Sequence, residues 1–67
     1  MKMFNQSECE AAAKEMLRDN KALKALELVT IIRVGTKEYE EKLAGTKTPT
    51  PVSSFKVDNI DFAVFMN

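Results

Sequence analysis

Five carboxylates and one thiol are the groups to weigh first for chemistry in this 67-residue chain: Glu38, Glu40, Glu41, Asp58, Asp61 and Cys9. A pair of carboxylates can act as general acid and base, as in glycoside hydrolysis. A thiol near a helix N-terminus can be activated by a lowered pKa. The chain contains no histidine. That excludes Ser–His and Cys–His nucleophile pairs, most zinc sites and a histidine pH switch. Without a base, and placed by spacing on an apolar stripe beside Ala13 and Met16, Cys9 reads as a small buried hydrophobe. The carboxylates read as solvated faces, because so small a domain rarely encloses a pocket of about 300–1,000 Å³.

The remaining motifs point the same way. Asp58-Asn59-Ile60-Asp61 lacks the alternating carboxylates, sixth-position glycine and terminal glutamate of a calcium loop. Gly35 and Gly45 do not fit the spacing of a phosphate-binding loop. Asn5-Gln6-Ser7 matches a glycosylation sequon, which matters only in a secreted chain. No cofactor, metal or small-molecule substrate is expected, and catalysis is not the expected activity.

Composition bounds the alternatives. Ten basic residues balance ten acidic ones, so the footprint of a non-specific nucleic-acid binder is missing and self-repulsion is weak. A lone cysteine makes no internal disulfide. No segment resembles a signal peptide or a membrane span of roughly 20 apolar residues. A cytoplasmic, single-domain protein is expected, close to the size at which one core barely suffices.

The elements follow from periodicity. Ser7 with Glu10 forms a capping-box pattern that predicts a helix from Ser7 to about Leu26. At 100° per residue, Cys9, Ala12, Ala13, Met16, Leu17 and Leu23 share one side, and Glu10 and Lys14 form an i,i+4 pair. Leu28-Val-Thr-Ile-Ile-Arg-Val34 is dominated by β-branched residues and reads as a strand buried on both faces. Gly35-Thr36 suggests a two-residue hairpin turn, returning residues 37–43 as an edge strand. The rival is a short helix over 36–44, with Thr36 as N-cap and Gly45 beyond its end. Residues 44–54 read as a proline-containing loop, with Thr48-Pro49-Thr50-Pro51 a candidate extended or phosphorylated segment. Phe55 to Met66 is the last strand, or two strands turning at Asp58-Asn59.

The expected fold is therefore α+β, one N-terminal amphipathic helix on a small, about three-stranded antiparallel sheet. The alternative is mostly helical, with 36–44 as a second short helix. One helix covers one sheet face, so parts of Val29, Ile31, Ala63 and Phe65 should be left open, and an open apolar patch marks an interface. The expected function is a small non-enzymatic protein-binding module, a regulator or inhibitor that docks through this face or an edge strand and dimerises. Its size class suits an accessory protein such as phages or mobile elements encode. Val29, Ile31, Tyr39, Phe62 and Phe65 are the expected contact residues, with Tyr39 and Phe65 as aromatic anchors. The alternative is a nucleic-acid-binding regulator that uses the basic flank of Lys14, Arg18, Lys21 and, less closely, Lys24.

Overall fold

The first helix, α1 (Gln6–Arg18), begins one residue before the Ser7 start that the capping-box pattern suggests, and its N-cap lies two residues before Ser7. Asn5 is the N-cap: its backbone is extended, and its Oδ1 accepts the Ser7 N–H at 2.8 Å. Asparagine caps at least as well as serine, so starting at Asn5 gains helical residues without losing the cap. The structure is a computed structural model and describes residues 5–45 and 51–67. Cys9, Ala12, Ala13 and Met16 are buried, as their spacing requires. Among the described residues no ion pair joins Glu10 to Lys14.

The helix stops at Arg18, well short of Leu26. Asn20 adopts a left-handed backbone (φ 56°). The Lys21 N–H donates to Met16 C=O at 2.7 Å, and the Asn20 N–H donates to Leu17 C=O at 3.3 Å. This is the 6→1 and 5→2 bond pair that closes a helix around a left-handed residue. Leu23 thereby leaves the helical stripe and enters a strand, where it is 41% exposed.

That strand, β1 (Leu23–Ala25), is the fourth member of a sheet that also contains β2 (Val29–Arg33), β3 (Ser53–Val57) and β4 (Ile60–Met66). The spatial order is β1-β2-β4-β3, and every neighbouring pair is antiparallel. The strand read over 28–34 is present as Val29–Arg33, one residue shorter at each end. The Phe55–Met66 run is not one strand but the alternative, two strands turning at Asp58-Asn59. Asp58 (φ 51°) and Asn59 (φ 65°) both have positive φ, as a two-residue turn of type I′ needs.

Residues 37–43 do not return as a hairpin strand. They form α2 (Lys37–Gly45), the rival helix, though the fold is not mostly helical. Gly35 (φ 89°) turns the chain out of β2, and Thr36 Oγ1 accepts the Tyr39 N–H at 3.2 Å as an N-cap. Glu38 and Glu40 sit in the first turn, where the helix dipole favours them. The segment is poor in strand-forming residues, while Tyr39 and Leu43, four apart, give it one apolar face. The loop expected over 44–54 starts later and ends earlier than read, since Ala44 and Gly45 are helical and Ser53-Ser54 belong to β3. Thr48, Pro49 and Thr50 lie outside the described residues.

Two cores result. On one face α1 covers Val29, Ile31, Val57, Phe62 and Val64. On the other, Tyr39 and Leu43 of α2 pack on Ile32, Ala63 and Phe65. Asn67 ties the ends of the sheet together. Its side-chain amide donates to Leu26 C=O (2.7 Å) and Glu27 C=O (3.3 Å), its backbone N–H donates to Leu28 C=O (3.0 Å), and its Oδ1 accepts from Thr30 Oγ1.

Phe62 is the largest fully buried side chain among the described residues. Phe62→Ala is expected to cost about 3–5 kcal/mol, a large share of the roughly 3–10 kcal/mol available to a domain of this length. Asn67→Ala should cost about 1–2 kcal/mol by freeing the turn carbonyls. Urea unfolding followed by circular dichroism reads both. A loss below about 1 kcal/mol for Phe62→Ala would contradict a core centred on that ring.

Candidate interaction surface

The open apolar face expected from the sequence is closed. Val29, Ile31, Phe62 and Phe65 are each no more than 3% exposed. Val29, Ile31 and Phe62 lie under α1. Phe65 and Ala63 lie under α2. Tyr39, the remaining expected contact residue, is half-buried against Phe65, with ring centroids 6.1 Å apart and planes tilted by 59°. Lys42 places its Nζ 5.9 Å from the Phe65 ring centroid, a cation–π contact that extends the cover. The structure therefore brings Tyr39 and Phe65 together as partners within the fold. The expectation of an exposed sheet face failed because it counted one helix where there are two.

What stays free is the edge of the sheet. Hydrogen-bonding direction alternates along an antiparallel strand. The Asp61 carbonyl accepts from Val34 N–H (3.0 Å), and the Asn67 N–H reaches Leu28 C=O (3.0 Å), so odd-numbered residues of β4 bond toward β2. The Val64 carbonyl instead accepts from Val52 N–H (2.8 Å), so even-numbered residues bond toward β3. In β3, Val57 pairs with Ile60 and Phe55 with Phe62, which makes these the hydrogen-bonded pairs. Ser54 and Lys56, opposite Ala63 and Asp61, consequently aim their backbone N–H and C=O groups away from the sheet. No described strand lies beyond β3.

Beside this edge runs an open groove of about 350 Å³ lined by Val34, Ser54, Phe55, Lys56, Asp61 and Phe62. Val34 (37% exposed) and Val52 (51%) add apolar surface near it. Phe55 stacks on Phe62 with centroids 5.7 Å apart and planes within 20°, carrying the core out to the edge strand. Docking by an edge strand was expected from the sequence, but the expected edge strand was residues 37–43, which are helical, and β3 was not singled out. Its available signal was the alternation Ser53/Phe55/Val57 against Ser54/Lys56, which marks a strand polar on one face.

The opposite edge is shorter. β1 has three residues and lies beside α1, above a groove lined by Glu8, Ala11, Ala12, Glu15, Lys24, Leu26 and Glu27. Here the expected basic flank divides. Lys24 Nζ is 2.7 Å from Glu15 Oε2, while Arg18 and Lys21 both lean on Asp19, at 3.7 and 3.9 Å. Only Lys14 of the four is exposed without an ion pair among the described residues. The hydrogen bond from Lys24, reinforced by its charge, holds the Glu15 carboxyl below the usual range.

The groups weighed for catalysis sit apart in the chain, Glu38, Glu40 and Glu41 on α2 and Asp58 and Asp61 on the β3–β4 hairpin. Among the described residues no cluster of three or more His, Cys, Asp or Glu is arranged to hold a metal. Among the described residues no helix is long and apolar enough to cross a membrane. Cys9 is fully buried, and burial pushes its thiol pKa up, with Glu8 and Glu10 adding to the rise.

Two outcomes follow. Cys9 should resist a thiol reagent at pH 8 in the folded protein and react within minutes in denaturant; fast native labelling would contradict its burial. Lys24→Met should raise the Glu15 pKa toward the unperturbed carboxylate range, read by carbonyl NMR titration. Because the folded-state pKa is lowered, this pair stabilises the fold above the unfolded-state pKa, and the contribution is lost as pH falls through the folded value.

The chain matches no protein-family model, no curated protein and no solved structure.

Proposed function

We propose that the chain is a small non-enzymatic protein-binding module, a cytoplasmic regulator or inhibitor, that docks by adding a strand of another chain to the free edge of β3. The observation that carries this reading is the outward aim of the Ser54 and Lys56 backbone groups along a five-residue strand. Strand addition takes its affinity from such main-chain bonds and its selectivity from the side-chain surface beside them. The groove side chains nearest the edge, Ser54 and Lys56, and the half-buried Phe55 ring on the other face supply that surface.

An exposed edge is usually guarded, often by a lysine that repels an incoming strand. Lys56 is directed to its own sheet instead, with its Nζ 3.7 Å from Asp61 Oδ1. That ion pair is exposed and worth little in stability, yet it leaves the edge without a bare charge. The shorter β1 edge offers less to pair with, and the ion-paired Arg18, Lys21 and Lys24 support a phosphate-binding role less well.

Ser54→Pro removes an outward N–H while leaving the bonds to β4 intact, which proline permits on an edge strand. Affinity capture with the wild-type chain should retain partners that the Ser54→Pro chain loses, at unchanged circular dichroism. Identical capture by both would remove the β3 edge as the docking site.

A further inference from the structure

A strand that docks others through its edge can also dock itself, and the chemistry of β3 suits a copy of itself. We propose that the strand added to β3 is β3 of a second copy, paired antiparallel about a two-fold axis at Phe55. The inference rests on the docking reading above and names its partner.

A two-fold axis between antiparallel strands requires paired residue numbers to have a constant sum. The outward groups belong to Ser54 and Lys56, so the axis can lie at residue 54, 55 or 56. An axis at 56 sets Lys56 directly opposite Lys56 of the second copy, and like charges so placed are destabilising. An axis at 54 sets Ser54 against Ser54 and carries Lys56 beyond the strand, opposite Val52. The axis at 55 uses the whole of Ser53–Val57. It pairs Ser54 with Lys56 of the second copy in both directions, and each pair exchanges both of its main-chain bonds.

In that register the two Phe55 side chains meet in the close, non-hydrogen-bonded pair. They lie on the face covered by α1, where Phe55 already stacks on Phe62 at 5.7 Å. The stack would then run Phe62, Phe55, Phe55, Phe62 across the axis. Lys56 stays on the opposite face with Asp61, 3.7 Å away. A net charge of zero leaves no overall repulsion between copies. Five residue pairs bury less than the roughly 1,200 Å² of a standard interface, which places this dimer among the weak, reversible ones.

The register makes the test specific. Sedimentation equilibrium from about 20 μM to about 1 mM should show the mass rising from one chain toward two. Ser54→Glu puts a carboxylate opposite Lys56 of the second copy and should tighten the dimer at least about threefold. Ser54→Lys should weaken it by at least as much, and Ser54→Lys combined with Lys56→Glu should restore it. Circular dichroism checks that each variant is folded. A dimer indifferent to the charge at position 54 would place the contact elsewhere and overturn the inference. A monomer at 1 mM would also overturn it, and the capture comparison then judges the docking reading separately. Partners lost by Ser54→Pro would leave that reading standing with a different occupant, and unchanged capture would end both.

Discussion

β4 has no solvent face over most of its length, and the rest of the molecule is arranged around that constraint. Phe62 and Val64 point to one side of the sheet, Ala63 and Phe65 to the other, and all four are buried. A strand so placed must be central, since its two rows of main-chain groups each need a partner strand. It has them in β2 and β3. It must also be covered on both faces, because burying two aromatic rings is worth several kcal/mol that exposure would forfeit. One helix cannot lie on both faces. The second helix is therefore a requirement of β4 as much as a property of its own residues.

Chain order solves the problem economically. β2 and β3 both run antiparallel to β4, hence parallel to each other, and parallel strands need a long crossover between them. α2 lies within that crossover, on the face α1 leaves open. The last strand then inserts between the two it separates. The small residues Cys9, Ala12 and Ala13 let α1 approach closely above Phe62, with Met16 of the same helix packed beside them. On the other face Ala63 leaves room for the larger side chains of Tyr39 and Leu43.

The α1 stripe, the β-branched strand 29–33 and the Asp58-Asn59 turn were legible because each has a strong local cause: period, branching, and residues that accept positive φ. The α+β class and the antiparallel sheet followed from them. Residues 37–45 were harder. Gly35-Thr36 serves both a hairpin turn and a helix entry, and what decides between them is Phe65, more than twenty residues away. β1 was hidden for a related reason. Leu23 continues the α1 stripe on a helical wheel, and only the left-handed turn at Asn20 breaks it. The expected interface residues Val29, Ile31, Phe62 and Phe65 were recognised as residues needing cover. Whether that cover came from within or without depended on the second helix, so the candidate surface was misplaced with it.

Once both faces are covered, the unmet bonding capacity of such a domain is confined to its rims. The two edges are not equivalent. β1 is short and sits beside α1 and its ion-paired lysine, with Asn67 bonded to the turn beyond it. β3 is longer and begins just after a segment rich in threonine and proline. Its Ser54 and Lys56 are small or turned toward Asp61. Neither side chain obstructs an approaching backbone as a bulky or unpaired charged one would. A sheet edge costs nothing in water, where solvent satisfies its main-chain groups. It becomes adhesive only when the flanking side chains gain from being covered as well. At β3 the half-buried Phe55 meets that condition, because its inner side already lies against Phe62 and its outer side still faces water.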